Sequence, residues 1–180
     1  AARIAIESQP VGQWQSRALD ESRLNASLTA MLALARRGES SLQPDLLQAL
    51  SRLSIDQMSE AQMLEGLRVL SLAFIRMGRP TPDVTDEIIR ALDPLFPAKS
   101  ERLNHELAQV LIYLGAPRVA ERTLALMDAA ITQEDQIHYL FHLRTLKSGW
   151  TIDQRKKYFA WYNKSREGLA HPLELTKWFR

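Results

Sequence analysis

His138 and His142 stand four residues apart in His-Tyr-Leu-Phe-His, and Glu134 precedes His138 by four more. On a helix these three side chains share one face, where imidazole and carboxylate groups can ligate a metal ion. A closed site needs a further ligand, and no other dense cluster of such residues supplies one. Ile137, Leu140 and Phe141 lie on the same segment, so the histidines also fit as flanks of a core stripe. His105-Glu106 opens a near miss to a zinc-protease helix, whose second histidine would have to occupy the position of Gln109.

Other chemistries lack their residues. No Gly-x-Ser-x-Gly elbow occurs to present a serine nucleophile. Neither Gly-rich phosphate loop occurs, so nothing cradles a nucleotide by a known turn. The chain has no cysteine, which excludes disulfides, thiolate nucleophiles, iron–sulfur clusters and covalent haem attachment within it. With 21 Asp and Glu spread along the chain, no catalytic pair stands out. No catalytic and no cofactor-binding residue is assigned.

Charge and aromatics are distributed unevenly. The formal charge is only +2, yet Arg144–Arg180 holds nine Lys and Arg against three acids. Nine of the thirteen aromatic residues fall between Tyr139 and Phe179. Aromatic and basic residues interleaved in this way can stack on bases while meeting phosphates. They can equally pack a last helix and leave Arg155, Lys156 and Lys157 as its solvated face. Phe159, Trp161 and Tyr162 cannot all point one way on a helix, so part of the set is expected at the surface, where an apolar patch marks a docking site. Arg155, Lys156, Lys157, Trp161 and Tyr162 are the candidate partner-binding residues.

The elements that must position these residues are helical. In 180 residues that are 46% hydrophobic and 24% charged, apolar positions recur with a helical period. Leu103, Leu107, Val110, Leu111 and Leu114 line one face, as do Leu64, Leu67, Leu70, Phe74 and Met77. No stretch alternates long enough to be a strand, and no apolar run reaches the roughly 20 residues of a membrane span. Gly38, Gly78, Gly115 and Gly149 are spaced 40, 37 and 34 residues apart, each where a helix is expected to stop. A start signal follows each glycine. Pro44 opens a segment to Leu53, Pro82 one to Leu95 and Pro117 one to Ala129, while Thr151 with Gln154 forms a capping-box pattern.

A long helix, a turn and a second helix thus recur four times with a period near 40 residues. That is the pattern of HEAT or armadillo-like α-solenoids, whose helix pairs bury their apolar faces by stacking on neighbours. A compact orthogonal bundle is the competing all-α architecture. The expected repeats are 20–54, 56–96, 99–130 and 132–164 within a single helical-repeat domain over 1–180, with 165–180 beginning a further helix. Ala1–Glu7 reads as the tail of a helix and not as a signal peptide. Leu173–Arg180, with Leu175, Trp178 and Phe179, reads as a helix cut short, so the chain is expected to be a fragment of a longer one.

Several phrases extend beyond periodicity. They are Ala2-Arg3-Ile4-Ala5-Ile6-Glu7 with Gln9-Pro10-Val11 and Trp14, then Leu32-Ala33-Leu34-Ala35-Arg36 before Gly38. Arg102-Leu103-Asn104 with Glu106-Leu107 and Tyr113-Leu114-Gly115 follow. The strongest runs from Gln133-Glu134 and Gln136-Ile137-His138-Tyr139 to Gly149-Trp150-Thr151, Arg155, Tyr158-Phe159 and Trp161. In this order the chain resembles, over nearly its whole length, the helical-repeat region of large exported proteins of Planctomycetes and related bacteria. In that family a sugar-dehydrogenase-like β-propeller often precedes the repeats and a c-type cytochrome domain follows. Gly168-Leu169-Ala170-His171-Pro172 departs from the family's usual Gly-Gly and Ser-Phe after the tryptophan.

The resemblance implies a periplasmic or otherwise exported protein whose haem, if present, belongs to an adjacent domain, since its cysteines are absent here. The expected function is a non-catalytic module that spaces and docks neighbouring domains of its own chain or another protein. The alternative is a HEAT-like DNA-binding protein or DNA glycosylase using the basic aromatic repeat. Positive charge confined to one end argues against nucleic acid, because a wrapping solenoid needs basic residues in every repeat.

Overall fold

The computed structural model describes residues 2–168, with side chains described over residues 3–163. The expected helix over Leu173–Arg180 lies outside the described residues. Among those described there are ten α-helices, four short 3-10 turns and no strand. No helix among them is long and apolar enough to cross a membrane. The chain forms two compact units, the first comprising residues 1–114 and the second beginning at Gly115.

The first unit contains α1 (Ala2–Glu7), α2 (Gln15–Asp20), α3 (Leu24–Arg37), α4 (Gln43–Ser51), α5 (Glu60–Met77), α6 (Pro82–Leu92) and α7 (Glu101–Leu114). Helix α3 packs on α5, and α5 on α7. Five consecutive residues of α3, Met31–Ala35, are buried, because α1, α2, α4 and α5 enclose it. Its sequence is accordingly apolar all round at that turn, as an enclosed helix requires. Helix α7 buries Leu103, Leu107, Val110, Leu111 and Leu114, the stripe read from the sequence.

Hydrogen bonds at both ends set α3, α5 and α7 parallel and level. At the N-terminal ends, Gln62 donates to Asn25 at 2.7 Å and Ser100 donates to Glu60 at 2.8 Å. At the C-terminal ends, Arg76 donates to the Ala35 carbonyl at 3.0 Å and also to the Arg36 carbonyl. Arg79 donates to the Leu114 carbonyl at 2.8 Å. The last carbonyls of a helix have no partner within it, so an arginine from the neighbouring helix both satisfies them and complements the negative end of the dipole. Helix α4 runs back against α5, its buried Gln43 donating to the Gly78 carbonyl at 2.5 Å. Glu7 ties α1 to α3 through an ion pair with Arg36 at 3.2 Å.

The second unit contains α8 (Val119–Ala129), α9 (Gln133–Leu143) and α10 (Ile152–Gly168), with α8 packed on both others. Its core joins Val119, Leu124 and Met127 to Tyr139, Leu140, Leu143 and Tyr158.

The helix boundaries follow the expected signals with three differences. Gly38 closes α3 with an ordinary negative φ of −68°, so handedness is not its reason for being glycine. A Cβ there would stand 2.7 Å from the Leu34 carbonyl oxygen, and close approach is the reason instead. Gly78 and Gly115 do take positive φ, at 99° and 79°, directly after α5 and α7. Gly149 also has a positive φ but lies six residues beyond the end of α9, in the turn before α10. Helix α8 starts at Val119 rather than at Pro117, after Arg118 adopts a left-handed conformation.

Arg76→Met keeps the aliphatic stem and removes both donors to the end of α3. Urea unfolding should show a loss of about 1–2 kcal/mol, the cost of a charge-assisted bond withdrawn from partly buried carbonyls. An unchanged midpoint would mean that water serves those carbonyls equally well.

A candidate docking face on helix α10

Two local devices fix where α10 starts. Thr151 and Gln154 form the full capping box: the Thr151 N–H donates to Gln154 Oε1 at 2.9 Å, and the Gln154 N–H to Thr151 Oγ1 at 3.2 Å. Just before it, the Trp150 indole donates to the Leu146 carbonyl at 2.8 Å and anchors the incoming chain.

From that start the helical period divides the candidate residues. Tyr158, Trp161 and Tyr162 turn towards the unit's own core. Tyr158 is buried, donates to the Leu140 carbonyl at 3.4 Å and lies 3.1 Å from the Tyr162 hydroxyl. The Trp161 indole donates to Gln136 Oε1 at 2.7 Å, tying α10 to α9. Lys157 stands at the flank and pairs with Asp128 of α8. Burial, and then the bond with Tyr162, push the Tyr158 phenol well above the usual tyrosine range.

Arg155 and Lys156 face outward, Lys156 making only a loose exposed pair with Asp153 at 3.5 Å. They share that side with Ile152, which is 74% exposed, and Phe159, which is 61% exposed. These four positions fall at i, i+3, i+4 and i+7, so one face of α10 presents two large apolar side chains around two cations. The face therefore keeps Arg155 and Lys156 from the expected set, leaves out Trp161 and Tyr162, and adds Ile152 and Phe159. The helical period alone does not place Phe159 outward, because position 159 lies about 60° from Tyr162 and about 100° from Tyr158 around the axis; its exposure is a finding of the fold.

The histidine pair on α9 is also close in space. The His138 and His142 rings lie 4.6 Å apart, each half-buried, while Glu134 is exposed a turn earlier. His138 meets the Tyr139 ring edge-on, and His142 meets Phe141 in the same way. Arg144 lies over the Phe141 ring at 4.2 Å. Among the described residues, Glu134, His138 and His142 do not bring three ligand atoms within reach of one ion.

The α10 face carries neither a nucleophile beside a base nor a set of convergent donors. What it can do chemically is bury apolar surface under a cationic rim. The chain matches no protein-family model, no curated protein and no solved structure.

The Tyr158 environment predicts an alkaline instability. Below the ordinary tyrosine pKa near 10, the folded and unfolded chains both keep the proton and no difference arises. Above it the unfolded chain ionises while folded Tyr158 does not, so stability falls as pH rises. Urea midpoints compared at about pH 8 and pH 11 should show that fall, and Tyr158→Phe should reduce it. An equal fall in both proteins would locate the alkaline sensitivity elsewhere.

Proposed function

We propose that this chain is a non-catalytic HEAT-like helical-repeat scaffold that docks other domains of a larger exported redox protein of the c-type cytochrome kind. The observation that carries the docking role is the outward face of α10, where Ile152 and Phe159 are exposed beside Arg155 and Lys156. Two large apolar residues exposed on one helix face yield burial free energy when a partner covers them, and such a patch marks a docking surface.

Support for the repeat architecture comes from the first unit. Its first helices α3, α5 and α7 stack parallel and level, through bonds between residues 35 to 41 positions apart, close to the repeat spacing. An up-and-down bundle would instead set consecutive neighbours antiparallel. The exported location and the redox context are supported by the family resemblance of the sequence phrases. In this segment the module holds no cofactor; any haem belongs to a flanking domain.

Nucleic-acid binding draws less support. With Tyr158, Trp161 and Tyr162 turned inward, Phe159 is the one aromatic of α10's described side chains that is exposed for stacking. Single-strand binding by stacking uses successive aromatic platforms.

The test uses the domains encoded next to this chain. Each is produced separately and titrated against the 180-residue chain by calorimetry at low and moderate salt. Binding should weaken about tenfold as salt rises through the physiological range, since exposed cations contribute to it. Arg155→Glu with Lys156→Glu should weaken it as much even at low salt, and Phe159→Ser should weaken it at every salt. Lys157 is left intact because it pairs with Asp128. Binding indifferent to salt and to all three changes would remove α10 from the interface, and steeply salt-dependent binding to duplex DNA would favour the alternative.

A further inference from the structure

We propose that the first unit carries a second recognition site, an apolar trough between α4 and α6 that binds a basic amphipathic helix of a partner protein. The site lies in the first unit and does not depend on the role of α10. Helix α4 leans on α3 and α5, whereas α6 leans on α7, so a trough remains between them above α5. Met63, Gly66, Leu67 and Leu70 of α5, at i, i+3, i+4 and i+7, form the floor of this trough of about 430 Å³. Leu47 and Leu50 of α4 form one wall, and Val84, Ile88 and Ala91 of α6 the other.

The exposure of the lining distinguishes the classes of occupant. Leu50, Met63, Val84 and Ile88 are half-buried and Ala91 is exposed, while Leu47, Gly66, Leu67 and Leu70 are buried, so the trough opens to solvent above a covered floor. A small molecule lying there would keep much of its surface in water, whereas pockets for such ligands usually enclose about 70–90% of them. A strand finds no purchase either, because the floor and both walls are helices whose backbone groups are already bonded internally. An amphipathic helix needs neither enclosure nor free backbone groups; it inserts apolar residues at helical spacing and leaves its polar side in water. Met58 and Met63, both in the lining, give the surface the pliability common in helix-accepting grooves.

Charge selects among helices. Asp45 on one wall and Glu87 on the other are the charged residues of the lining, and no Lys or Arg lines it. Both are exposed, and neither has an ion-pair partner among the described residues. Two carboxylates without ion-pair partners, one on each wall of an apolar trough, attract Lys and Arg flanking an apolar stripe and repel acidic helices.

The probe is a synthetic helix of about 14 residues with Leu at i, i+3, i+4 and i+7 and Lys on its flanks, compared with the same peptide carrying Glu for Lys. The 180-residue chain is followed by amide chemical shifts and fluorescence anisotropy. The Lys peptide should shift amides of α4, α5 and α6, and its affinity should fall about tenfold on adding moderate salt. Ala91→Trp, at an exposed position, should fill the trough and weaken binding about tenfold or more. Asp45→Lys with Glu87→Lys, also exposed, should reverse the preference towards the Glu peptide while the fold is retained, the melt falling slightly because Asp45 lies in the first turn of α4. Equal affinity for both peptides, binding untouched by Ala91→Trp, or shifts confined to other helices would overturn the proposal. So would dodecyltrimethylammonium shifting the trough amides where the helix does not. A concentration-dependent dimer dissolved by Ala91→Trp would assign the trough to a second copy and overturn it equally.

Discussion

The unpaired carbonyls at helix ends are the constraint on which the first unit depends. A helix leaves its last four carbonyls without internal partners, and each needs a donor once neighbouring helices exclude water. Here the donors for α3 and α7 come from one place, the end of α5, where Arg76 reaches the Ala35 and Arg36 carbonyls and Arg79 reaches that of Leu114. Because both arginines are tied to one helix end, the three helices must finish at the same level. The Gln62–Asn25 and Ser100–Glu60 bonds hold the opposite ends level too. Parallel stacking thus follows from satisfying polar groups, while the apolar stripes supply most of the driving force.

That register leaves a consequence for surface. Helix α5 has 18 residues, whereas the returning helices α4 and α6 have 9 and 11. At 1.5 Å per residue, α5 is about 27 Å long and its flanking helices only about 14–17 Å. Short second helices leaning on different partners cannot roof the whole of a long first helix. The trough over Met63 to Leu70 is the remainder. The trough is therefore a product of unequal helix lengths, and its acidity comes from Asp45 and Glu87 on the two walls.

The second unit solves a different problem. Among its described residues it has three helices, and it fills its centre with aromatics that also bond: Tyr158 to the Leu140 carbonyl, Trp161 to Gln136. Buried aromatic groups with polar tips need such partners, and meeting them sets the rotation of α10 about its axis. Once that rotation is set, Ile152, Arg155, Lys156 and Phe159 are turned outward together. The outward face of α10 is thus a by-product of the inward bonds, and its composition depends on how Tyr158, Trp161 and Tyr162 are satisfied.

Local physics alone made much of this legible in the sequence. The helical period of Leu103 to Leu114, the Thr151–Gln154 capping box and the glycines after α5 and α7 are signals carried within a few residues, and the helices stand where they predict. The cationic half of the α10 face, Arg155 and Lys156, was legible for the same reason. Gly38 was readable as a stop but not as a close approach, because the Leu34 carbonyl, Met77 and Leu42 meet there only in the folded chain. The inward turn of Trp161 depends on Gln136, 25 residues away. Nothing in the sequence marks Leu50, Val84 and Ile88 as half-exposed, since a sequence shows that a residue is apolar but not whether a neighbour arrives to cover it. Helix identity is decided by neighbours along the chain, and burial by which distant helix ends must share their donors. Only the tertiary structure could decide the second.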